Sequence, residues 1–131
     1  MNMIFSYIAI LIPLVALDAL WILVLAKNFY ATQIGFLFSK SIIFTPIIFF
    51  YSIYAFGVLM LVVLPAISVG SWLQALWRGA LVGIVAYGAY DLTNQATISG
   101  WPTIVTLVDM CWGVIVTALT SIIAYFIITN L

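Results

Sequence analysis

Apolar residues run almost unbroken along this chain, and the few polar positions among them mark its divisions. The first run extends from Ile4 to Ala26, is interrupted by Pro13 and Asp18, and stops at Lys27. A second runs from Ile42 to Leu64 and ends at Pro65. Crossing the hydrocarbon layer takes roughly 20 apolar residues, and both runs are long enough. The third is less regular. Only Gly79 to Tyr90 separates Arg78 from Asp91, so a full crossing must begin near Leu73, with Arg78 snorkelling to the headgroups and Asp91 at the far boundary. Trp101 and Pro102 then announce a fourth helix from Thr103 to Ile128. The pattern predicts an all-α integral membrane protein, one transmembrane domain over residues 1–131. Its spans fall near 4–26, 42–64, 73–91 and 103–128, arranged as an antiparallel four-helix transmembrane bundle. Residues 27–41 form a partly apolar connection suited to the membrane interface, and Trp72, Trp77 and Trp101 sit where an aromatic belt would lie.

Composition agrees with lipid as the solvent. Of 131 residues, 68% are hydrophobic and 5% charged, where a soluble domain carries about a quarter charged. The first run is too long for a signal-peptide core and has neither a basic leader nor a small-residue cleavage site. Net charge is zero, and Lys27, Lys40 and Arg78 are too scattered to grip nucleic acid. With no His and the single Cys111, no metal site, no haem and no other cofactor is expected, and serine–histidine or cysteine–histidine catalysis is excluded. Both lysines lie at helix ends, which argues against a buried Schiff base. Lys27 and Lys40 flank one side while Arg78 and the amino terminus lie on the other, two charges against two, so orientation is left open.

The acidic residues carry more information. Helices that alternate in direction place the C-terminal ends of spans one and three beside the N-terminal end of span four. Asp18 then lies about 12 Å inside span one and Asp109 about 9 Å inside span four, by the 1.5 Å helical rise, with Asp91 at the same boundary. All three carboxylates fall in one half of the membrane. An aspartate there costs about 2.5–3.5 kcal/mol on insertion scales and usually faces the interior and a partner. Two that meet can share one proton as a coupled pair.

Helix faces point the same way. Gly79, Gly83, Tyr87 and Asp91 recur every four residues, and Asn94 and Gln95 follow at the mouth. Thr106, Asp109, Gly113, Thr117 and Thr120 form a small polar stripe on span four. Tyr51, Ser52 and Tyr54 add hydroxyls that need partners in hydrocarbon. Asp18 with Trp21, and Asp109 with Trp112, each make a D-x-x-W step, in which the indole is expected to cover or hydrogen-bond its own carboxylate. The glycine step reads first as helix packing, Arg78 as an interfacial anchor, and Pro13 and Pro46 as bends. The expected ligand-binding set is Asp18, Trp21, Tyr87, Asp91, Asn94, Asp109 and Trp112.

Several strings, FFYSIYAFG at 49–57, RGALVGIVAYGAYDLTN at 78–94 and GWPTIVTLVDMCWG at 100–113, together with DALW at 18–21, resemble an uncharacterised family of bacterial membrane proteins, domain of unknown function 2177. The resemblance covers nearly the whole chain. It implies a multi-pass, four-helix protein of the bacterial inner membrane and carries no assigned activity. Such proteins are often encoded beside genes for lipid modification, which inclines the expectation toward lipid chemistry.

Three functions remain. The leading one is an Asp-lined intramembrane pocket that binds or transports protons or a small cationic or amphipathic molecule. Four helices enclose little space, so transport calls for a homodimer, as in small multidrug-resistance transporters. The chain resembles those in size and in Asp18 only, and its two further acids depart from them. The second is a membrane-embedded enzyme, or an accessory subunit, acting in lipid or acyl-chain modification with Asp and Tyr as its acid–base groups; no catalytic residue is assigned. The third is a structural membrane subunit. Membrane lipid is the expected partner throughout.

Overall fold

The computed structural model describes residues 1–131 and is entirely helical. Asn2 caps the first helix, its side-chain oxygen accepting from the backbone N–H of Ile4 at 2.9 Å and of Phe5 at 3.2 Å. From there α1 runs from Met3 to Leu20 without a break at Pro13, and continues as a wider π-helical turn over Trp21–Leu25. A short helix α2 (Lys27–Ile34) follows, where only an interfacial connection is expected from sequence. It leads through a tight turn at Gly35–Leu37 toward α3 (Phe44–Val58). A second π-helical turn, Leu59–Val63, joins α3 to α4 (Leu64–Ser68). The last two helices are α5 (Trp72–Thr97) and α6 (Thr103–Asn130).

Three of these rods are long and apolar enough to cross a membrane: Met3–Leu25, Phe44–Ser68 and Thr103–Asn130. The α5 helix matches them in length. Arg78, Asp91 and several amides make it less apolar, so it falls outside that group.

Two boundaries differ from the sequence expectation for physical reasons. The second rod does not end at Pro65. A proline ring collides with the carbonyl four residues back in a regular helix and removes one N–H. The π turn before it opens that ladder, the Leu64 N–H reaching back to the Leu59 carbonyl, and the helix then resumes to Ser68. Pro46 lies in the first turn of α3, where no bend is needed. The α5 helix runs on to Thr97, so Asp91 lies within it, well short of its end.

Packing is closest between α5 and α6, which run antiparallel. A side chain added at Gly79 would come within 2.8 Å of the Ser121 hydroxyl and 2.9 Å of the Ala118 backbone. One at Gly83 would overlap the Gly113 carbonyl, and one at Gly113 would overlap the Tyr87 ring. Small residues at four-residue spacing thus let two backbones meet, the usual way to pack helices where lipid supplies no hydrophobic drive. The α1 helix packs against α6 on one side and α3 on the other, around Ile10, Leu14, Val58, Val62, Val63 and Val116. Tyr54 bridges α3 to α6, its hydroxyl 2.7 Å from that of Thr117.

Candidate functional site

The three aspartates converge at one end of the structure, where α1 finishes and α6 begins. Asp18 is 4% exposed and accepts two hydrogen bonds. One comes from the Trp112 indole N–H at 2.8 Å, the other, a short one, from the Tyr51 hydroxyl. Both carboxylate oxygens therefore have a donor.

Asp109 is half-buried on the first turns of α6 and accepts from the Tyr30 hydroxyl at 2.7 Å. That hydroxyl in turn accepts from the Trp21 indole N–H at 3.0 Å. Burial, the largest influence, pushes the Tyr30 phenol above its ordinary pKa, and the neighbouring carboxylate adds to this, so Tyr30 is a neutral donor.

The indoles are crossed relative to the sequence expectation. Trp112 donates to Asp18 across the helix interface, and Trp21 reaches the Asp109 side through Tyr30, so neither indole donates to the carboxylate of its own D-x-x-W step. The reason is geometric. Where α1 and α6 run antiparallel side by side, a residue three positions on from each aspartate lies against the other helix. The two rings meet there, stacked with centroids 4.5 Å apart and planes 7° from parallel. Past the widened turn that begins at Trp21 the helix breaks at Ala26, and α2 follows and presents Tyr30.

Asp91 is different from both. It is fully buried on α5, and its carboxyl neighbours that of Asp109. Neither can donate as a carboxylate, and both Asp91 oxygens are then without a partner. No cation compensates them. Lys27 and Lys40 are exposed, and Arg78 lies near the other end of α5, bonded to Gln74 at 3.0 Å and set over the Trp77 ring at 4.9 Å. Thr106 touches only the backbone carbonyl of Asp91, at 3.5 Å, while accepting from the Trp101 indole at 3.1 Å.

Of the residues singled out from sequence, Asp18, Trp21, Asp91, Asp109 and Trp112 meet in this network. Tyr87 stands apart, packed on Gly113 and edge-on to Tyr54 at 6.4 Å. Asn94 is half-exposed a turn beyond Asp91 and makes none of the hydrogen bonds to the carboxylates. Sequence reasoning missed Tyr30. The signal available was its position just past the end of span one, on the aspartate side. Two recesses lie away from the carboxylates, and the second shares Trp21 and Trp112 with the network. One, of about 550 Å³, lies at the opposite end against Phe5, Ile67 and Ile128. The other, of about 320 Å³, is an apolar groove on the outer side of the stacked indoles.

An all-helical chain with membrane-length apolar rods and buried acids is a membrane protein by its physical chemistry. It belongs to the family described as predicted membrane protein (DUF2177), whose model matches residues 3–126. No curated protein and no solved structure matches it.

Proposed function

We propose that this is a multi-pass protein of a bacterial inner membrane, with α5 as a fourth crossing, and that its acid–aromatic end binds a positively charged ligand in exchange for a proton. The length of α5, about 39 Å at the helical rise, supports the crossing. So does its glycine contact with α6, which turns Asp91 inward and leaves Leu81, Ile84 and Val85 outside.

One observation carries the functional reading: a fully buried Asp91 whose two oxygens have no donor, beside a half-buried Asp109, with no basic side chain in reach. Buried polar groups in native proteins are nearly always partnered, and the exceptions call for a ligand, an ion or a role. Two neighbouring carboxyls satisfy each other when one proton lies between them. A cation entering the pair would release that proton. The surroundings suit an organic ammonium, since Trp21, Trp112 and Tyr30 offer aromatic faces next to carboxylate charge. Asp18 plays another part in this reading. Its oxygens are already taken by Tyr51 and Trp112, so it acts as a positioning residue that holds Trp112 in place.

The test uses the purified protein in a non-ionic detergent, with dodecyltrimethylammonium and tetramethylammonium as probes. Binding is followed by calorimetry and proton release in weakly buffered solution. Wild type is expected to bind at least one cation and release protons, and Asp91→Asn and Asp109→Asn to lose both signals. Unchanged binding in both variants would remove the reading.

A further inference from the structure

The apolar groove of about 320 Å³ lies against the same two indoles that serve the acids. It is lined by Trp21, Leu107, Val108, Cys111, Trp112 and Ile115, apolar throughout. On α6 these positions fall to one side of Asp109, with Trp112 between the groove and the acidic face, as follows from 100° per residue. Each indole is therefore two-sided. Its N–H is engaged inward, Trp112 with Asp18 and Trp21 with Tyr30, and its carbon surface faces the groove. The two indoles thus border both the acid-bearing side and an almost wholly apolar trough.

We infer that the ligand is a single-chain amphiphile with an ammonium head, whose hydrocarbon chain occupies this groove while the head meets Asp109 and Asp91. This rests on the cation-binding reading above and adds the ligand's other half. Charge complementarity fixes the head, because negative charge without a counter-ion lies next to the groove's end. Apolarity fixes the tail, since the groove offers no hydrogen-bond partner to a sugar, peptide or polar chain. Being on the outer surface between the end of α1 and α6, the groove would fill sideways from the lipid. The head would then pass the edge of the indole stack and displace the Tyr30 hydroxyl from Asp109.

Cys111 supplies a built-in reporter. It is the only cysteine, exposed, and part of the groove lining. The experiment measures the rate of its alkylation by N-ethylmaleimide in the purified protein, with dodecyltrimethylammonium, tetramethylammonium or neutral dodecanol present. The long-chain cation at ten times its dissociation constant is expected to slow alkylation about tenfold, in proportion to the sites left free. Tetramethylammonium should leave the rate unchanged, and Asp109→Asn should abolish protection by the long-chain cation. Ile115→Trp, which fills the trough away from the acids, should weaken the long-chain cation while sparing the short one. If both cations release protons but neither protects Cys111, the groove inference fails and the cation-binding reading stands. If dodecanol protects as well as the cation, in wild type and Asp109→Asn alike, an ordinary lipid chain is the occupant and the inference fails. If no cation of either length binds, both fall.

Discussion

Asp18 and Asp91 sit on neighbouring parts of one network, equally hidden, yet their oxygens meet opposite circumstances. Two donors from α3 and α6 close around Asp18. Around Asp91 there is only another carboxyl. Burial alone would rank them together. The difference lies in satisfaction: an acid with its donors supplied by the fold strengthens the fold, whereas one left short is an opening for a proton or a cation. A membrane interior sharpens this, because water is not at hand to make up the missing partner.

That contrast can be broken first at Asp18. Asp18→Leu strands the Tyr51 hydroxyl and the Trp112 N–H together, at a cost of roughly 2–6 kcal/mol, taking about 1–3 for each buried donor. Thermal unfolding in detergent should show the largest drop of any single change discussed here. Next comes the seam that sets the Asp91–Asp109 approach. Gly83→Ala forces α5 away from the Gly113 carbonyl and should cost about 1–3 kcal/mol as overpacking does. It should also weaken cation binding while leaving the Asp18 hydrogen bonds intact, seen as an unchanged signal from the Trp21–Trp112 pair.

Asp91→Asn should have the reverse profile. Its amide can donate to Asp109, so stability holds or rises by about 0.5–1.5 kcal/mol, while cation binding and proton release disappear. A stability loss as large as that of Asp18→Leu would end the distinction between the two acids. Tyr30→Phe removes two hydrogen bonds, the one donated to Asp109 and the one accepted from the Trp21 N–H, at about 1–3 kcal/mol together. That contribution also has a pH signature. The folded phenol is held above its ordinary value of 10.0, so its stabilisation is whole below that pH. Above it the unfolded chain loses its proton first, and the contribution declines as pH rises toward the raised value. Unfolding curves of wild type and Tyr30→Phe should therefore converge in strongly alkaline solution.

The legible part of this structure was whatever depends on counting along a chain. Uninterrupted apolar runs gave the long helices, and alternation of direction placed Asp18, Asp91 and Asp109 at one end. Four-residue spacing exposed the contact between Gly79, Gly83 and the α6 backbone. What escaped depends on rotation and on partners distant in sequence. The turns at Trp21–Leu25 and Leu59–Val63 each hold one residue too many for an α-helix, and nothing within those strings of Trp, Leu, Val, Ile and Met marks the place. The second is why the helix outlasts Pro65, and the break at Ala26 after the first is where the chain turns before Tyr30 meets Asp109. Crossed indoles could not be read from D-x-x-W either, since the pairing is decided by how α1 faces α6. Local periodicity says which residues share a face, and not what that face will meet.

The stacked indoles have one more consequence, and it is optical. Two aromatic chromophores lying nearly flat on each other at 4.5 Å do not absorb light independently, because their transition dipoles couple. The protein therefore carries an intrinsic spectroscopic signature of contact between the end of its first long helix and the beginning of its last. Parting of that junction would be visible in circular dichroism without attaching any dye.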